Sequence, residues 1–172
     1  MTQNRTFTSI DAILRRQPDA WARLRGSSQM PGLRGMIRFY KHALGTLVVA
    51  EVQGLPTHQG ACASPIFAFH IHEGDSCTGD RQDPFADVGV HYNPHSCPHP
   101  YHSGDLPPMF SAKGYGVSAF LTDRFTVGEI VGKTILLHAG FDDFSSQPSG
   151  NAGAKIACGE IVRGTGTGSQ CL

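Results

Sequence analysis

At 172 residues the chain suits one domain around a single core. Twenty-one glycines and eleven prolines, against only 16% charged residues, favour short strands, turns and long ordered loops over a helical bundle. Fourteen basic and fourteen acidic side chains leave a formal net charge of zero, which excludes a basic footprint for nucleic acid, so attraction of any anion has to be local. In chain order, residues 8–18 predict a short helix, because Ile10, Ile13 and Leu14 recur at i, i+3 and i+4 and Pro18 stops the run. From Ala20 the period changes to two. Residues 20–26 and 36–40 alternate as strands, and 46–52 is a β-branched strand entered by a turn near 43–45 and ended by Gly54-Leu55-Pro56. Residues 66–72 form the next strand. Residues 73–113 show no sustained period and read as one long functional loop. Strands at 116–121, 134–138 and 156–162 complete the set, about seven or eight in all, which argues for an antiparallel barrel or sandwich.

Arg5, Asp11, Arg15, Arg16 and Asp19 break up the first 20 residues, and nothing later approaches the ~18 apolar residues of a membrane span. The expectation is a chain without membrane contact and without a recognisable export signal, hence cytoplasmic, with the periplasm or the extracellular space left open. The five cysteines, Cys62, Cys77, Cys97, Cys158 and Cys171, form no CxxC pair; one disulfide plus spare thiols and a set of buried free thiols both fit them.

Six of the nine histidines fall between His70 and His102, and a seventh, His138, stands four residues before Asp142-Asp143. Neutral imidazole is the commonest metal-binding side chain, so this density points to a metal centre. Residues i and i+2 of a strand share one face, so His70 and His72 can offer ring nitrogens to one ion. An all-imidazole set suits copper in both of its oxidation states, while three imidazoles with a carboxylate make a closed zinc site. Asp142-Asp143 reads either as a solvated turn or as a carboxylate behind the ligands. His42 and His58 read as isolated surface or hydrogen-bonded residues.

His70-Ile-His72-Glu, Gly89-Val-His91-Tyr-Asn-Pro94, His102-Ser-Gly-Asp105-Leu, Leu137-His138 and Gly150-Asn-Ala-Gly-Ala-Lys-Ile-Ala-Cys158-Gly resemble, in order and spacing, the copper/zinc superoxide dismutases. The resemblance spans roughly residues 20–162. It implies an all-β, eight-stranded antiparallel Greek-key barrel, an immunoglobulin-like sandwich with long metal-binding and electrostatic loops, over residues 19–172, with residues 1–18 a short helical extension. It also implies Cu(2+)/Cu(1+) on His70, His72, His91 and His138, and Zn(2+) on His91, His99, His102 and Asp105. His91 spans both ions and carries a proton, and Asp142 links His70 to His99. Cys77 and Cys158 match a disulfide that ties a loop to the barrel, the short interval from His72 to Cys77 being of the bacterial kind.

Two places depart from the family pattern. Lys155 stands where an arginine is usual; it keeps the charge that attracts superoxide but loses the planar fork of donors, which predicts an active, slower enzyme. The interval from His99 to His102 is short, and His95 and Cys97 compete with His99 as zinc ligands. The implied activity is disproportionation of superoxide, with superoxide as substrate, a copper donor as a further partner, and a monomer or a homodimer as the working unit. A copper-storage or copper-delivery protein without turnover and a structural zinc protein are the rival readings.

Overall fold

The computed structural model describes residues 8–57 and 65–164. His58, Cys62 and Cys171 lie outside these residues. Nine strands form one antiparallel sheet: β1 (Ala20–Gly26), β2 (Arg34–His42), β3 (Gly45–Gln53), β4 (Ile66–Phe67), β5 (Phe69–His72), β6 (Met109–Ala112), β7 (Tyr115–Thr122), β8 (Thr134–His138) and β9 (Lys155–Arg163). Their order across the sheet is β4-β6-β7-β3-β2-β1-β9-β8-β5. Three strands follow one another as hairpins, and long connections then return β7 beside β3 and β9 beside β1, in Greek-key fashion.

β4 and β5 are adjacent in sequence yet stand at opposite ends of that order. Ala68 alone separates them, donating to Gly140 O at 2.7 Å and accepting from His138 N at 3.0 Å. One run of seven residues therefore pairs with β6 through its first half and with β8 through its second, which nearly closes the sheet into a barrel. The expected strand 66–72 is two strands for this reason, and the count among the described residues is nine rather than eight. The expected loop also ends early, at residue 108, where β6 begins.

Alternation sets the wall. In β1, Ala20, Ala22 and Leu24 are buried while Arg23 and Arg25 face solvent, and they join Ile37, Phe39, Phe67, Phe69, Ile71, Ile135 and Leu137 in one core. β5 and β8 break the pattern, being buried on both faces. Phe69 and Ile71 enter the core, so His70 and His72 project from the opposite, outer face, beneath the connections 73–108 and 139–154. Phe85, Val88, Leu136 and Cys158 form a second cluster there with half-buried Cys77, which gives the long loop an apolar anchor on the wall.

α1 spans Ile10–Leu14, capped by Ser9, whose hydroxyl accepts from Ala12 N at 3.3 Å. Only Ile13 of the expected apolar triplet is buried, against Tyr40 and Leu47 on the outer barrel wall; Ile10 and Leu14 are exposed. A second short helix, α2 (Val127–Ile130), lies before β8 and carries a capping box in which Thr126 N donates to Glu129 Oε2 at 2.6 Å. No helix among the described residues is long and apolar enough to cross a membrane.

Candidate metal centre

Period-two geometry brings His70 and His72 onto one face of β5, as their spacing predicts. β8 ends at His138, where the pairing with β9 shifts register and sets His138 opposite Lys155. His91 comes from the long loop, which pairs locally with β5: His72 faces His91 and His70 faces Asp105 in isolated bridges. The ring centroids of His70 and His91 are 4.1 Å apart, those of His72 and His91 4.8 Å, and those of His70 and His138 5.0 Å.

Hydrogen bonds decide which nitrogen of each ring is available. His70 Nε2 lies 2.9 Å from Asp142 Oδ2, His72 Nδ1 2.9 Å from Gly89 O, and His138 Nδ1 3.2 Å from Gly153 O. Carboxylate and carbonyl oxygens only accept, so each of these nitrogens carries the hydrogen and donates it. The lone pairs are thereby placed on His70 Nδ1, His72 Nε2 and His138 Nε2. Those three atoms, together with His91 Nε2, are buried without a hydrogen-bond partner. His70, His72, His91 and His138 offer ligand atoms that all lie within 4.8 Å of one another. Four buried lone pairs converging on one point are costly unless a cation takes them up, so the residues fit a metal ion.

The second group is made by the loop. His91 Nδ1 lies 2.7 Å from Asp105 Oδ1, and His99 Nδ1 and His102 Nδ1 lie 3.0 and 3.3 Å from Asp105 Oδ2. Three buried imidazoles thus crowd one carboxylate, and these four residues form a second set with ligand atoms within 4.8 Å. His91 belongs to both sets through its two nitrogens. His95 is exposed and belongs to neither. Cys97 is a half-buried free thiol 3.9 Å from His95 O, also outside both sets. His42 is half-buried and accepts from Leu44 N at 3.1 Å in the β2–β3 turn.

Asp142 connects the sets. Its two oxygens lie 2.9 Å from His70 Nε2 and 2.8 Å from His99 Nε2, and it also accepts from Phe144 N at 2.8 Å. Burial alone would raise its pKa, but the hydrogen bond from His70, with those from Phe144 N and His99, holds it down at about 2. Asp105 is lowered in the same manner, mainly through His91. Burial, reinforced by repulsion from His91, pushes His72 down to about 2; burial, reinforced by His70, pushes His138 down to about 3. These rings are therefore neutral at ordinary pH and keep their lone pairs.

Further contacts hold the centre together. Cys77 and Cys158 are joined in a disulfide that closes 81 positions of sequence separation and ties the loop to β9. Gly150, at φ +68°, passes so close to Asp142 that a Cβ there would lie 1.8 Å from Oδ1 and 2.7 Å from His99 Nε2. Three supports had no signal in the local pattern. Gln147 clasps the His99 backbone from both sides, at 3.1 and 2.7 Å. Arg124 Nη1 donates to the carbonyls of Pro100, His102 and Asp105 at 3.1–3.2 Å. Asp83 accepts from Lys155 Nζ at 2.5 Å. Lys155 lines, with His72, His91 and His138, a cavity of about 390 Å³ that opens over the four-histidine set.

The family model for copper/zinc superoxide dismutase matches residues 33–161. The chain is 38% identical to a copper/zinc superoxide dismutase of Photobacterium leiognathi over 107 residues, 54% of this chain and 62% of that protein. It is 34% identical to one of Deinococcus radiodurans over 143 residues, 73% of this chain and 75% of that protein, and 31% identical to an extracellular superoxide dismutase of Mus musculus, covering 87% and 59%. The chain thus spans about three fifths of the length of the Photobacterium and mouse relatives. Among solved structures, the copper/zinc superoxide dismutase of Brucella abortus superposes with a TM-score of 0.69 over 82% of this chain and 98% of its own, at 24% identity, which shows the shared fold. A family match over most of the barrel, with two metal-fitting sets sharing one histidine within it, establishes that this chain belongs to the copper/zinc superoxide dismutase family.

Proposed function

We propose that the chain disproportionates superoxide to dioxygen and hydrogen peroxide, with copper on His70 Nδ1, His72 Nε2, His91 Nε2 and His138 Nε2, and zinc on His91 Nδ1, His99 Nδ1, His102 Nδ1 and Asp105. One observation carries the reading: the hydrogen bonds of His70, His72 and His138 turn three lone pairs toward the His91 nitrogen that Asp105 does not engage. Bound copper supplies a one-electron couple, +2 to +1, able to oxidise one superoxide and reduce the next.

The remaining work falls to side chains. His91, whose Nδ1 sits beside Asp105 where zinc would be held, would accept a proton on Nε2 and pass it to the reduced anion. Asp142 keeps His70 and His99 in the tautomers that leave Nδ1 free. Lys155, on the cavity wall, draws the anion inward. The Cys77–Cys158 disulfide supports work in an oxidising compartment, periplasmic or extracellular.

Metal analysis of the purified protein together with a superoxide assay tests this. One copper, one zinc and rapid dismutation are expected. Copper without turnover would favour storage or delivery, and zinc alone would favour a structural role.

A further inference from the structure

Among the described residues lining the cavity above the four histidines, Lys155 is the one lysine or arginine. Its ammonium is not free. Nζ donates to Asp83 Oδ2 at 2.5 Å and to Phe85 O at 3.1 Å. Both acceptors come from one tight turn: Asp83 O accepts from Asp80 N at 3.0 Å and Ala86 N at 3.1 Å, and Asp83 Oδ1 accepts from Phe85 N at 3.1 Å. Phe85 anchors that turn in the apolar cluster with Leu136 and the disulfide. Burial opposes the charge on Asp83, but the hydrogen bonds from Lys155 and Phe85 N, together with the nearby positive charge, outweigh it and lower the pKa, so the carboxylate that faces Nζ is ionised at neutral pH. Asp83 does not itself line the cavity; its carboxylate meets the lysine at Nζ.

We propose that Asp83 is a positioning residue: it holds the Lys155 ammonium at the cavity wall and offsets its charge, so that the pair, not the lysine alone, sets the attraction for a small anion. A lysine stem has four flexible carbons where an arginine would bring a rigid fork, and an external carboxylate supplies the missing constraint. The inference rests on the cavity being the place where the anion meets copper.

Azide binding to the copper(II)-loaded protein, followed by its charge-transfer absorption, separates the two roles. Asp83→Asn keeps an acceptor oxygen and removes the charge, so azide should bind about threefold tighter at low salt, the size expected of one unit charge acting through partly solvated protein. Asp83→Ala also removes the anchor and should bind azide about threefold more weakly than Asp83→Asn. In a Lys155→Met background the Asn and Ala variants should be equal. Equal affinities of the two variants with Lys155 present, or a difference that survives Lys155→Met, would overturn the proposal.

A metal-free readout stands beside it: the ¹⁵Nζ signal of a held Lys155 ammonium should persist in Asp83→Asn and vanish through solvent exchange in Asp83→Ala. Its survival in Asp83→Ala would equally overturn the role. Copper failing to load in the parent protein would count against the proposed function alone, while the ammonium signal still decides the role of Asp83.

Discussion

The two halves of the metal centre are built on different principles. His70, His72 and His138 stand on β5 and β8, whose paired backbones place the rings before any ion arrives. His99, His102 and Asp105 stand on a 36-residue connection, residues 73–108, in which the described secondary structure is one short 3₁₀ turn, Ala86–Val88. Their places depend on contacts from far along the chain: Asp142, Gln147, Arg124 and the Cys77–Cys158 bridge. A strand-borne site is preorganised by the ladder, whereas a loop-borne site shares its ordering with the metal. His91 and Asp142 are the joints through which one half constrains the other.

The comparison can be broken first at the copper side. His138→Ala removes one of four converging nitrogens, and dismutation should fall by more than about a hundredfold while far-ultraviolet circular dichroism stays that of the barrel, since the β8 ladder does not need the imidazole. Full activity in this variant would remove the copper assignment. On the loop side, Asp142→Ala leaves His99 and His70 without a tautomer-fixing partner and should weaken zinc by about 10–100-fold in chelator competition. Copper should weaken less, because His72 and His138 keep backbone acceptors. Equal losses at both sites would contradict the division.

Stability sharpens the same contrast. Cys77→Ser should cost about 2–4 kcal/mol in denaturant unfolding, the usual effect of opening a long closed loop. The zinc side should show the damage first, through faster exchange of backbone amides in residues 73–108. Acid should reach the strand side first, since depressed histidines lose their contribution from about pH 6.5 downward and the depressed carboxylates Asp105 and Asp142 only below about 3.8. His70, His72 and His138 all titrate below their ordinary value of 6.5, the last two at about 2 and about 3, because burial disfavours the imidazolium. Between about pH 6.5 and about pH 3 the unfolded chain binds more protons than the folded one. The contribution of these rings to the stability of the metal-free protein is therefore full above about pH 6.5 and is lost as pH falls, by about 1 kcal/mol per pH unit for each of His72 and His138. Thermal unfolding across that range reads it directly; a midpoint independent of pH would contradict the burial of these rings.

What could be read from the sequence follows the same divide. The pair His70 and His72 and the end-of-strand His138 were legible because a strand converts spacing into direction. The family pattern supplied His99 over His95, since spacing alone left both open. β6 escaped because four residues, Met109–Ala112, follow Pro107-Pro108 inside a segment otherwise without period. α2 escaped although Thr126 and Glu129 form a legible capping box, because Gly128 and a length of four residues weaken any helical pattern. The split at Ala68 is a property of barrel closure, visible only when both edges of the sheet are present. Asp83 and Arg124 act on groups 72 and about 20 positions away, and no local pattern encodes such a contact.

The proposed division between a strand-held copper and a loop-held zinc is tested most directly by anomalous diffraction from crystals of the metal-loaded protein, with data taken on either side of the copper and zinc absorption edges. The expected result is copper alone among His70, His72, His91 and His138, and zinc alone among His91, His99, His102 and Asp105. Zinc in the four-histidine set, or copper beside Asp105, would contradict it.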